Sequence, residues 1–165
     1  MNEAYLSSAI SRLLDAKKLA DDTFTKLDDA AFYYSPNEES NSIATIIQHI
    51  SGNMMSRWTD FLTTDGEKEW RKRDEEFEPS NLSKIALLQL WEKGWHCCIH
   101  ALQALQASDM QKTITIRQQP LLVFDAINRQ LVHYPYHIGQ IVYIAKMILN
   151  QQWQTLSIPR KRSNT

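Results

Sequence analysis

The chain carries five histidines, at positions 49, 96, 100, 133 and 137. His96 and His100 form one i,i+4 pair, and His133 and His137 form another. On a helix that spacing puts both rings on one face, with β-carbons about 6 Å apart. It is how a helix presents two ligands to one metal ion, as in H-E-x-x-H. Neutral imidazoles suit Zn, Ni, Fe or Cu. Helical geometry does not separate the pairs. His137 lies about 80° and His133 about 120° from the apolar stripe of its helix, and His96 and His100 sit at similar angles. Pro135, between His133 and His137, removes a hydrogen bond to the Leu131 carbonyl. A kink or local unwinding is expected there, which could re-aim the two rings. His96 and His100 flank Cys97 and Cys98 in WHCCIH. A thiolate could join a metal there, but Cys98 falls on the Trp95 face and reads as a small core residue. Adjacent cysteines make a strained, improbable disulfide.

The elements that position these residues follow from the apolar pattern. A first helix is expected over about residues 3–26, with Leu6, Ile10, Leu13 and Leu14 on its stripe. Pro36 and a polar run end it. Ser42 is a candidate N-cap for a second helix, whose stripe is Ile43, Ile46, Ile47, Ile50, Met54, Trp58 and Phe61. Residues 63–81 are polar, with Trp70 and Phe77 inside. Irregular connections of this length are uncommon and often functional. The plainer reading is a solvated connection pinned by two aromatics.

A third helix is expected over about residues 82–107, starting near Ser80 or Asn81, with Ile85, Leu88, Trp91, Trp95, Ile99 and Leu102 on one face. Thr113 to Arg117 reads as a short strand or extended segment. The fourth helix is expected just after Pro120 and runs to about residue 150. The fold class is therefore all-α: a four-helix bundle with long connections after helices two and three. One domain spans residues 1–150, and 151–165 form a tail ending in the basic PRKRSNT, expected to fray.

Composition narrows the function classes. The 165 residues are 43% apolar and 22% charged, with 4 Gly and 5 Pro, which favours a helical globular domain. Lys and Arg total 18 against 19 Asp and Glu, so no field of one sign exists to attract nucleic acid. No apolar run reaches the roughly 18 residues of a membrane span, and the N-terminal stretch does not read as a signal peptide. The expected compartment is the reducing cytoplasm. Five tryptophans, with Trp58 and Trp70 placed on exposed flanks, point to a homodimer.

Two segments carry a family likeness: IIQHISGNMMSRWTDFLTTDGEKEWRKRDEEFE, and IRQQPLLVFDAINRQLVHYPYHIGQIVYIAKM. They resemble the DinB/YfiT-like superfamily of four-helix-bundle metalloproteins, closest to a bacterial subfamily of undefined function. The likeness runs from about Ser42 to Met147, and the HxxxHxGQ end is its most specific part. It implies a divalent metal held by His49, His133 and His137, and leaves His96 and His100 outside the ligand set. It also implies a homodimer.

Three protein ligands leave a coordination position open, the catalytic arrangement for zinc. Relatives include transferases that use low-molecular-weight thiols, so the likeness implies a metal-dependent thiol S-transferase acting on small electrophiles. The alternative is a non-catalytic metal- or ligand-binding, stress-associated dimeric bundle. Asn53 and Arg57 follow His49 at i+4 and i+8. Asn53 could orient a ligand or substrate, and Arg57 could hold a thiol's carboxylate. The plainer role for Arg57 is a surface ion pair with Asp60 or Glu67. Gln140 is a further candidate for holding a ligand histidine. A hydrolase would need a general base near the histidines, and neither Asp60 nor Asp125 is obviously directed there.

Overall fold

A computed structural model of the chain describes residues 2–158. Helix accounts for 66% of the described residues. The principal helices are α1 (Asn2–Phe24), α2 (Ile43–Trp58), α3 (Lys84–Ala104) and α4 (Val123–Leu149). Between α3 and α4 lies a hairpin of β1 (Thr113–Ile116) and β2 (Gln119–Leu122). In the bundle α2 packs chiefly on α3 and α1 on α4, while α2 also meets α4. No helix among the described residues is long and apolar enough to cross a membrane.

Ser42 caps α2 as expected, its hydroxyl accepting the Thr45 N–H at 3.1 Å. Thirteen of the sixteen α2 residues are buried, so this helix is enclosed on almost every side. Its apolar stripe fills the core, and its polar residues must find partners inside the protein. The contact with α3 is close at Gly94, where a β-carbon would lie 3.0 Å from the Ser51 α-carbon.

Several boundaries differ from the sequence expectation. Helix α3 starts later, capped by Ser83. Its buried face is Leu87, Trp91, Gly94, Trp95, Cys98 and Leu102, whereas Ile85, in the first turn, is 71% exposed. Cys97 and Cys98 are free thiols, and Cys98 is fully buried. Trp58 does not lie on an exposed flank. It is buried, and its indole N–H donates to the Tyr134 hydroxyl at 2.9 Å. The inference of a dimer from that residue therefore fails, although Trp70 is 57% exposed.

Pro120 does not open the fourth helix. It sits in β2 opposite Thr115, and an edge strand tolerates its missing N–H. Helix α4 is continuous through Pro135, so the expected local unwinding is absent. The hairpin turn places Arg117 and Gln118 at φ 54° and 63°. Such turns favour Asn-Gly. Here the Asp65 carboxylate accepts both turn N–H groups, at 2.9 and 2.7 Å. Beyond α4, Trp153 packs on the core beneath the Lys146 ammonium. The basic end of the tail, residues 159–165, lies outside the described residues.

Candidate metal centre

Helix α2 supplies His49 and α4 supplies His133 and His137, one turn apart. The three rings offer nitrogens that all lie within 4.8 Å of one another. His49 and His137 are buried and His133 is half-buried. Phe77 covers the outer face of His49, with ring centroids 4.7 Å apart.

Each Nδ1 is already engaged. His49 Nδ1 meets Glu76 Oε2 at 3.0 Å. His133 Nδ1 faces Gln130 Oε1 at 3.3 Å, and His137 Nδ1 faces Gln140 Oε1 at 2.9 Å. A ring nitrogen facing a carboxylate or amide oxygen carries the proton, so each Nε2 presents its lone pair. His49 Nε2 and His133 Nε2 are 3.3 Å apart. Two lone pairs at that distance repel unless a proton or cation lies between them. Two nitrogens each about 2.05 Å from a tetrahedral ion would be separated by about 3.3 Å. The donor set therefore fits a late first-row divalent ion, and its chemistry does not choose among them.

The 63–81 connection is part of this centre. Its single turn of 3-10 helix, Asp74–Phe77, packs against α2 and delivers Glu76. Arg71 holds that carboxylate with two hydrogen bonds of 2.8 Å. Burial pushes the Glu76 carboxyl up, but hydrogen bonds and charge from Arg71 and His49 outweigh it and hold it below the usual range. Burial, then repulsion from His137 and His49 when they are protonated and from Arg129 and Arg71, lowers His133 to about 3. Burial also lowers His137, against the hydrogen bond its Nδ1–H donates to Gln140, which raises it. Both α4 rings are therefore neutral at pH 7, the form a ligand requires.

The other sequence candidates fall as follows. Asn53 is buried beside the triad, and its Oδ1 accepts from the Tyr134 hydroxyl at 3.1 Å. Arg57 is not a surface group: it is buried, and its closest carboxylate, Glu67, is 3.9 Å away. Gln140 touches His137 as described. His96 and His100 are exposed on α3, with ring centroids 5.9 Å apart, and line a different hollow with Cys97. Asp125 is exposed near the start of α4. Sequence reasoning missed Glu76, Arg71 and Gln130. Gln130 offered a signal, standing three residues before His133 on the same face. Glu76 offered only its place in a conspicuously charged connection.

Fold and centre together define a class: an all-helical bundle with a three-histidine cluster able to hold a metal ion. The chain belongs to a family described as "Protein of unknown function (DUF1572)", which matches residues 1–162. No curated protein matches it.

Proposed function

We propose that the chain is a divalent-metal-dependent thiol S-transferase of the DinB/YfiT-like superfamily, acting on small electrophiles. The observation that carries this reading is the arrangement of the three histidines. Every Nδ1 has an acceptor, His49 Nε2 and His133 Nε2 stand 3.3 Å apart beside a cavity, and all three rings offer a nitrogen within 4.8 Å of the others. A purely structural zinc site closes its fourth position with a protein ligand. The three histidines stand as the sole cluster of this kind among the described residues.

An ion held by His49, His133 and His137 would supply the positive charge that makes a thiol acidic at neutral pH, a thiol's own pKa being about 8.5. The chain's own groups do the rest. Glu76 fixes the ring plane of His49 and favours its ligand tautomer. Gln130 and Gln140 do the same for the α4 pair. Asn53, held by Tyr134, borders the space where an electrophile would approach. In the reaction the thiol loses its proton to solvent, its sulfur forms a bond to the electrophilic carbon, and the leaving group departs as an anion with the bonding pair.

The proposed setting is the cytoplasm, where small thiols stay reduced. A homodimer is proposed with it, supported by exposed aromatics such as Tyr136 and Tyr143 on α4, 62% and 66% exposed. The test is turnover of a chlorinated dinitrobenzene with an added thiol, by metal-loaded and metal-stripped protein. Metal-dependent turnover above the uncatalysed rate is the expected result. A metal-loaded protein without turnover, across several thiols and electrophiles, would leave a binding protein as the better reading.

A further inference from the structure

Beside His49 and His133 lies a cavity of about 220 Å³. Five of its nine lining residues are arginines, at positions 57, 71, 73, 117 and 129, and none is acidic. They come from α2, the 63–81 connection, the hairpin turn and α4, so the cluster is made by the fold and not by a basic run.

The five are not equally satisfied. Arg71 is saturated by Glu76 and lies 3.4 Å from Glu67. Arg117, 57% exposed, reaches Glu67 at 3.4 Å. Arg57 is different. Its side chain is 3% exposed, its closest carboxylate is 3.9 Å away, and its Nε and Nη1 are buried without a hydrogen-bond partner. Burial accordingly pulls its guanidinium below the usual range. A buried charge with open donors is costly. Both of those donors are shut off from the cavity, Nη1 packing where a β-carbon on Gly66 would lie 2.8 Å away, so Arg57 meets the cavity through Nη2. Arg117 is also held at a cost. It occupies a left-handed backbone conformation, at φ 54°, that Asp65 clamps through the turn N–H groups. Arg129 stands one helical turn before His133, on the same face of α4.

We propose that this cavity seats a small oxyanion, the carboxylate or phosphate group of the substrate or thiol, held by Arg57 at the floor and by Arg117 and Arg129 at the rim. Guanidinium donors match both kinds of oxyanion in geometry and charge. The volume equals about seven waters at about 30 Å³ each, below the ~300–1,000 Å³ of a drug-sized pocket. The occupant is therefore an anionic head on a short stem. This deepens the proposed function, resting on it for the claim that the anion belongs to a reacting molecule; the anion seat itself stands on the arginines.

Calorimetric titration of inorganic phosphate and of malonate into the purified protein tests it, with metal content measured on every sample. Saturable binding of at least one anion is expected, weakening as salt rises. The preferred probe identifies the head group as phosphate or carboxylate. Arg57→Gln should weaken binding about tenfold or more while metal content is unchanged. Arg117→Gln, at an exposed position, should weaken it about threefold and covers the case in which Arg57→Gln does not fold. His137→Ala, at a ligand position that does not line the cavity, should lose metal yet keep anion affinity within about threefold. Wild-type protein that holds metal but binds neither anion overturns this inference alone. Anion binding by protein that takes up no metal overturns only the metal-dependent function. Unchanged affinity in both arginine variants, or loss of affinity together with the metal in His137→Ala, shows that the arginines are not the seat.

Discussion

The carboxylate of Glu76 occupies the space that a side chain at position 52 would fill: a β-carbon on Gly52 would lie 2.1 Å from Glu76 Oε1. Gly52 is one turn past His49 on α2, and Glu76 reaches His49 from the 63–81 connection. The glycine thus opens a slot in a helix surface through which a distant loop grips a ligand ring. In an ordinary helix interior Gly→Ala adds about 0.5–1 kcal/mol of stability.

Here the opposite is expected. Gly52→Ala must displace Glu76, which frees the His49 ring and disturbs the pair with Arg71. Metal affinity should fall about 10–100-fold, the usual effect of removing a ligand's outer partner. Glu76→Gln should fall in the same range, because it keeps the shape but weakens the acceptor. Competition with a chromogenic chelator measures both. A Gly52→Ala protein that is more stable and binds metal as before would show that the slot has no role.

Metal content of five single variants separates the histidines. Replacing His49, His133 or His137 with Ala should each abolish stoichiometric binding, since two imidazoles remain from a set of three. Replacing His96 or His100 should leave it intact, because those rings are exposed on another face and belong to no three-ligand cluster among the described residues. An empty site in His96→Ala would transfer the assignment to the α3 pair.

How much of this was legible beforehand depended on the reach of each interaction. The Ser42 cap and the α2 stripe are local, and the sequence showed both. The wheel angles of the two histidine pairs were equivalent, so only a family likeness distinguished His133 and His137 from His96 and His100. Arg57 was misplaced because a helical wheel assumes one wet face, and α2 has almost none. Glu76 lies 27 residues from His49, in a segment whose path no periodicity describes. Pro120 read as a helix start because an isolated Thr113–Arg117 stretch gave no sign of the return strand that contains it. The turn between them lacks glycine, and Asp65, far upstream, substitutes for that signal.

The metal-free protein should lose stability as acid is added. His133 is lowered to about 3 in the folded state, against about 6.5 in an unfolded chain. His137 is lowered as well. Between those limits the unfolded chain takes up protons that the native rings refuse, so unfolding gains. The stability from these groups is fully present above about pH 6.5 and declines as pH falls toward 3, by on the order of a few kcal/mol. Glu76, also lowered, adds a loss in the same direction below its ordinary range near 4.5. Thermal melts of chelator-treated protein from neutral pH downward should show the decline begin near 6.5, and His133→Phe should flatten its upper part. A melting temperature unchanged between neutrality and pH 4.5 would contradict the buried, neutral assignment of the α4 rings.

The guanidinium of Arg57 should be a liability when no anion is present. It is buried with two unpartnered donor atoms, and Glu67 keeps Arg71 and Arg117 as partners if Arg57 is removed. Arg57→Met retains the length and apolar stem but discards the charge, so no carboxylate is orphaned. Replacing buried ionic groups by apolar ones of like volume is often stabilising by about 1–4 kcal/mol. A gain of about 1 kcal/mol would raise the melting temperature of a chain this size by about 2–4 °C. Added phosphate, or malonate where that is the anion the cavity prefers, should then reverse the order. It stabilises the wild type by mass action, through binding to the native state alone, and leaves Arg57→Met where it was. Melts with and without that anion decide the point. If Arg57→Met is less stable than wild type in phosphate-free buffer, the guanidinium is a structural tie between α2 and the connection, and its open donors are satisfied by the fold in solution.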